Sequence, residues 1–229
     1  MFQELLSIFR PGNPLSLMAD EFAAMLRLTC EMTDTAGRML FQETTSAEDR
    51  TAIYKKDVMV NKLERSIRKR VVAHMAIHGN RDLPYCLLLM SLVKDVERLG
   101  DYAKNITEIL DLYTGDLGDD AVAQELGEIR AGVEEAFRES ASVFADSDRE
   151  RAMELIRKGK DHAQRADGLL RRIASSSYAA DRTTALVLAT RYYKRMGGHL
   201  LNVLTSVVMP LHKVDYYDED EVPGKADPD

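Results

Sequence analysis

Apolar residues return every three or four positions along almost the whole chain, which is the period of an amphipathic helix. Leu15, Met18, Phe22, Met25, Leu26, Thr29, Met32, Ala36, Met39 and Leu40 form the first stripe, after the breaker Pro11-Gly12-Asn13-Pro14, and predict a helix over about 15–44. Ser46, followed by Glu48 and Asp49, marks a second start with a serine cap and early acids. Its stripe of Ile53, Val60, Leu63, Ile67, Val71 and Met75 runs to about His78, where Gly79-Asn80 stops it. A third helix opens near Arg81–Pro84 with proline in its first turn, and carries Leu88, Leu92, Leu99, Tyr102, Ile106 and Ile109 toward Tyr113. The Gly/Asp-rich segment Thr114–Asp120 is a linker near the midpoint. Three further helices follow, over about 120–146, 148–177 and 182–212, with turns at 146–148 and near 180–181. No alternating pattern competes with them.

These elements predict an all-α protein of two tandem three-helix bundles with up-down-up connections. The divisions are a lead segment 1–14, a first repeat 15–113, a second repeat 119–212 and an acidic, disordered tail 213–229. The halves align by residue. Arg98-Leu99-Gly100 matches Arg195-Met196-Gly197 and Asn105 matches Asn202, each 97 positions on, while Lys56-Asp57 matches Lys160-Asp161 at 104. The difference is one heptad, which preserves a buried face.

Composition narrows the class. Hydrophobic residues make up 45% of the 229 positions, enough for a core, and only 6 are proline, which leaves long stretches free of breakers. A formal net charge of −7 argues against a nucleic-acid partner. Cys30 and Cys86 stand among apolar neighbours and read as free buried thiols of a reducing compartment. The apolar run Met196–Leu211 is too short to span a membrane and holds glycine, histidine and asparagine. The expectation is therefore a cytoplasmic protein. The Phe2, Leu5, Leu6, Phe9 cluster either packs on its own domain or a second subunit, or touches a membrane surface peripherally.

Candidate chemistry lies in the acids. Glu97 and Asp101 are four residues apart with Asn105 four further on, so they share one helix face. Asp57 and Glu64 fall on or beside the apolar stripe of the second helix, where an isolated charge is costly. If the second and third helices are antiparallel neighbours these acids converge. Carboxylates gathered in this way suit magnesium, calcium, manganese or iron. The same spacing also serves a solvated face of ion pairs with Lys94, Arg98 and Lys104. In the second half the matching positions are Lys194 and Gly198, with His199 beside them and Asp161 and Asp167 as the nearby acids, so metal binding there is expected to be poor or absent. His74 and His78 sit four apart at a helix C-terminus, which favours imidazolium without any ligand. Lys62, Arg65, Arg68, Lys69 and Arg70 read as a solvated basic face or a contact for an acidic partner. There is no phosphate-binding GK[ST] loop, no HExxH and no Glu-x-x-His pair, so the chain is not expected to be an enzyme.

Val96-Glu97-Arg98-Leu99-Gly100-Asp101-Tyr102-Ala103-Lys104-Asn105-Ile106 resembles the ER-hydrophobe-GD-x-A-x-N-hydrophobe signature of the PhoU family of phosphate-uptake regulators. Asp57 to Glu64 resembles that family's second-helix segment. The likeness spans about 15–212. It implies a cytoplasmic, non-enzymatic, often homodimeric protein that restrains phosphate uptake. Its implied partners are a phosphate transporter, through an ABC ATPase subunit or of the sodium–phosphate type, and a phosphate-sensing histidine kinase. It further implies a divalent metal or iron cluster (Fe, Zn, Mn or Mg) held by Glu97 and Asp101, with Asp57 and Glu64 from the facing helix. Arg98 and Arg195 are implied to pair with the acids or a partner surface. Lys194 and Gly198 depart from the pattern and mark a divergent member.

Overall fold

The computed structural model describes residues 14–43 and 47–211. Among the described residues the apolar periodicity closes into six helices. These are α1 (Pro14–Leu40), α2 (Ala47–His78), α3 (Leu83–Glu108), α4 (Ala121–Asp146), α5 (Arg149–Ala174) and α6 (Ala180–Val208). α3 continues as a 3-10 turn, Ile109–Asp111, rather than as α-helix to Tyr113. The expected serine cap at Ser46, the Phe2–Phe9 cluster and the acidic tail lie outside the described residues.

The helix ends follow local chemistry. Gly79 takes φ +63° after α2, and Ser147 takes φ +54° after α4, each closing its helix in the left-handed region. The side chain of Asp148 accepts from the Arg151 amide to start α5. Asp120 does the same for α4, accepting from the amides of Val122 and Ala123 at 3.0 Å each. Asp120 also accepts from the Tyr178 hydroxyl (2.8 Å) and the Arg182 guanidinium (2.7 Å). It thus ties the start of α4 to the start of α6. Burial acts to raise the Asp120 pKa, yet the Ala123 amide, Tyr178 and Arg182 outweigh it and hold the carboxyl at about 2.

Asp120→Ala is expected to cost about 1–2 kcal/mol, the usual worth of an N-cap. A carboxyl whose folded pKa is depressed stabilises fully above its unfolded value of about 3.9 and progressively less as pH falls toward the folded value. Denaturant melts should therefore show the gap between the two proteins narrowing from about pH 4 down to about pH 2.

Within each half every helix packs on the other two. The halves meet along two seams, α3 against α6 and α1 against α4, while α2 and α5 keep to the outer flanks. Leu15, Met18, Phe22, Met25, Leu26 and Met32 of α1 are buried as their spacing requires. Thr29 joins them because its hydroxyl donates to the Met25 carbonyl. Leu63 and Met75 are only partly buried. Both cysteines are free, and burial pushes both thiols up. The outer α4–α5 face carries ion pairs of Arg151 with Glu139 and Glu154 and of Arg165 with Glu128, the solvated-face pattern, each worth little in water. No helix among the described residues is long and apolar enough to cross a membrane.

α3 and α6 begin 97 positions apart, at Leu83 and Ala180, the offset at which Arg98-Leu99-Gly100 matches Arg195-Met196-Gly197. The α3–α6 seam accordingly has a local pseudo-two-fold axis. Tyr102 and His199 are equivalent positions and stack on each other, with ring centroids 5.7 Å apart. The axis exchanges two unlike pairs. Asp95 receives His199 Nδ1 at 2.7 Å on one side, and Tyr102 meets Tyr192 at 5.9 Å on the other. The second helices differ in size, with 32 residues in α2 and 26 in α5.

Candidate functional site

Asp57 stands between Ile53 and Val60 on the inner stripe of α2, so the helix delivers its carboxylate to α3. It is 8% exposed. Facing it, α3 presents Gly100, where an added Cβ would meet only ordinary van der Waals contacts. A Cβ there would stand 3.7 Å from Asp57 Oδ1, 3.4 Å from the Met32 methyl and 3.6 Å from the Thr29 methyl. Lys104, one turn on, places Nζ 3.0 Å from Asp57 Oδ2 and 2.9 Å from Asp101 Oδ1. Burial opposes the charge on Lys104, but its bonds to Asp101 and Asp57 more than offset this and raise its pKa. Asn61 adds a donor to Asp57 Oδ2 at 3.3 Å. Asp57 Oδ1 is buried and has no hydrogen-bond partner.

The four expected ligands thus divide. Asp57 and Asp101, from facing helices, converge on one cation, which is Lys104. Glu97 is held by Lys94 at 2.6 Å and Glu64 by Arg68 at 2.9 Å, each within its own helix. No group of three or more His, Cys, Asp or Glu side chains is gathered to hold a metal ion among the described residues. What Asp57 and Asp101 offer a hard cation is a pair of carboxylates from facing helices. One of these oxygens, Asp57 Oδ1, is buried and lacks a partner. Arg98 and Arg195 do not pair with the acids, since the lysines have taken that place. Both arginines are exposed.

The second half is built differently. Lys194, at the position of Glu97, donates to both oxygens of Asp167 at 2.6 Å. Leu201, at the position of Lys104, lies on Gly159, where a Cβ would meet its Cδ2 at 2.7 Å. The helix opposite therefore offers a glycine where α2 offers Asp57. Asp161, matched to Asp57 at an offset of 104, is exposed. That match is corrected by the register in which α5 packs on α6.

Other polar contacts were not evident in the sequence. Asp95 accepts from Asn202 Nδ2 at 3.0 Å as well as meeting His199. Arg130 of α4 bonds Glu43 at 2.6 Å and Glu134 at 2.6 Å, and its guanidinium lies 4.9 Å from the Phe41 ring centroid. α1 makes room for it at Gly37, where a Cβ would stand 2.7 Å from Arg130 Nε. The sign of Asp95 is a carboxylate on an apolar face beside Leu92, Val96 and Leu99. His74 Nε2 lies 2.8 Å from Asp82 Oδ2 at the α2–α3 turn, and its ring packs tilted against that of His78 with centroids 4.5 Å apart.

Two tandem three-helix bundles, one bearing converged carboxylates on its second and third helices and the other lacking them, define the class. Residues 22–110 match the PhoU domain. The chain is 23% identical to the phosphate-specific transport system accessory protein PhoU homolog of Clostridium acetobutylicum, over 68% of this chain and 74% of the other. It is 22% identical to PhoU homolog 1 of Thermotoga maritima, over 85% of each. In fold it matches PhoU from Pseudomonas aeruginosa (TM-score 0.78, 21% identity, 87% of this chain and 97% of the other). It also matches the phosphate transport system regulatory protein PhoU from Streptococcus pneumoniae (TM-score 0.73, 16% identity, 91% and 95%). The PhoU domain match thus lies in the first repeat, and the fold along both halves is the one these PhoU structures share.

Proposed function

We propose that this chain is an accessory protein of phosphate transport that acts by protein contact rather than turnover. The observation that carries this reading is the PhoU domain over 22–110, which includes Glu97, Arg98, Asp101 and Asn105, set in a fold shared along both halves with PhoU proteins. Support also comes from the two relatives named as accessory proteins of phosphate-specific transport. In this reading the protein is cytoplasmic and homodimeric, and restrains a phosphate transporter (its ABC ATPase subunit or a sodium–phosphate type) together with a phosphate-sensing histidine kinase. Arg98 and Arg195 are exposed at equivalent positions of the two halves and serve as partner contacts. Asp57, Asp101, Glu97 and Glu64 hold a divalent metal or iron cluster, with Glu97 and Glu64 leaving their local ion pairs to do so.

Elemental analysis of protein purified without chelator tests the metal. Near-stoichiometric metal is expected in the wild type, with loss of most of it in Glu97→Ala/Asp101→Ala. Pull-downs with transporter components test the partner, and Arg98→Glu/Arg195→Glu is expected to weaken capture. A second reading, a metal-free helical scaffold for another transporter, draws on the lysine or arginine already beside every one of these acids. Metal absent from both proteins, with capture unchanged, would favour it.

A further inference from the structure

We infer that Lys104 is a resident cation that competes with a divalent metal ion for Asp57 and Asp101, so that Lys104 must release this pair before the metal can load. The inference rests on the metal reading above and adds how that site is controlled. Lys104 Nζ lies within 3.0 Å of both carboxylates, which come from different helices. Its occupancy is incomplete in two ways. One ammonium neutralises only one of two carboxylate charges, and Asp57 Oδ1, turned toward Gly100 among Met32 and Thr29, is left buried without a partner. A buried, unpaired carboxylate oxygen is costly, and a divalent ion supplies the second charge that the lysine lacks. Release is mechanically open to Lys104. Its side chain is 20% exposed, and a flexible four-carbon stem lets the ammonium swing into water with its proton retained.

The second half carries no counterpart of this pairing. Leu201 replaces Lys104 against Gly159, and Lys194 replaces Glu97 and closes on Asp167. Only the first half keeps both acids facing each other with a removable cation between them. Lys104 thus sets the threshold of metal concentration at which the first half loads.

The test is a calorimetric titration of the full chain, stripped of metal, with Mn2+. Lys104→Met is expected to bind Mn2+ at least about tenfold more tightly than wild type, a change of about 1.4 kcal/mol. Lys104→Arg, which keeps the competing charge, should stay near wild type, and Asp57→Asn should weaken binding in every background. A second measurement uses the wild type alone. Labelling of Lys104 by an amine-reactive ester, read by peptide mass spectrometry, should rise on adding Mn2+. Equal Mn2+ affinity in wild type and Lys104→Met, with labelling unchanged and Asp57→Asn weaker than both, would overturn the role of Lys104 and leave the metal site standing. No Mn2+ binding by wild type or Lys104→Met would overturn both.

Discussion

Replacing Arg130 with methionine is expected to lower folding stability by about 3–5 kcal/mol, the usual result of removing one partner from a buried charge pair. Arg130 is 8% exposed and lies at the α1–α4 seam. Methionine keeps much of the stem but none of the donors. Glu134, whose side chain is 12% exposed, then loses its partner, and Glu43 loses its tie across the halves. Burial already pushes the Glu134 carboxyl up, and the Arg130 guanidinium is the main influence holding it down. Without that cation the Glu134 pKa rises further. An acid whose folded pKa is raised penalises the folded state above that pKa, and not below its unfolded value of about 4.3. The deficit of Arg130→Met should therefore be largest at neutral pH and shrink as pH falls toward about 4. Denaturant melts at several pH values check both the size and the trend. A uniform deficit across pH would mean the loss is one of packing.

Asp95→Ala is expected to cost about 2–4 kcal/mol, from two charge-assisted hydrogen bonds and the donors left behind. Asp95 is the point at which α3 holds both His199 and Asn202 of α6. Its loss acts across the seam and leaves each three-helix core intact. The two halves should then melt less cooperatively, with a broader denaturation transition and a lower apparent m-value. Chemical denaturation followed by far-UV circular dichroism measures this. Asp95→Asn, which retains one acceptor oxygen, should fall between wild type and alanine.

The fold was legible because the stripes are long and proline is scarce. Every helix stands where the period placed it, and the differences are confined to ends such as Leu40, Glu108 and Ala174. Ends are set by local hydrogen bonding rather than by periodicity. The site was legible in part. Asp57 on an apolar stripe has to meet something, and it meets α3 at the turn of Gly100 and Asp101 as the antiparallel arrangement requires. The orientation of Glu97 and Glu64 was not legible, because a carboxylate on a helix surface chooses between a base three or four residues away and a group on the next helix. Asp95 with His199, and Arg130 with Glu43, lie 104 and 87 residues apart. Both depend on which helices of the two halves touch, and no spacing within one helix carries that. The match of Asp57 to Asp161 failed for a related reason. Shared residue types fix an alignment only to within a turn, whereas the contact of Leu201 with Gly159 sets the register atom by atom.

At a rise of 1.5 Å per residue, α2 is about 48 Å long and α5 about 39 Å. Near the C-terminal end of α2, Ile77 is 76% exposed. The other helices do not follow this difference in length, with 27 and 26 residues in α1 and α3 against 26 and 29 in α4 and α6, so the pseudo-symmetry is broken in the length of the outer helices as well as in chemistry. A partner that spans both outer flanks meets two helices of unequal length, and that inequality lets it tell one half from the other.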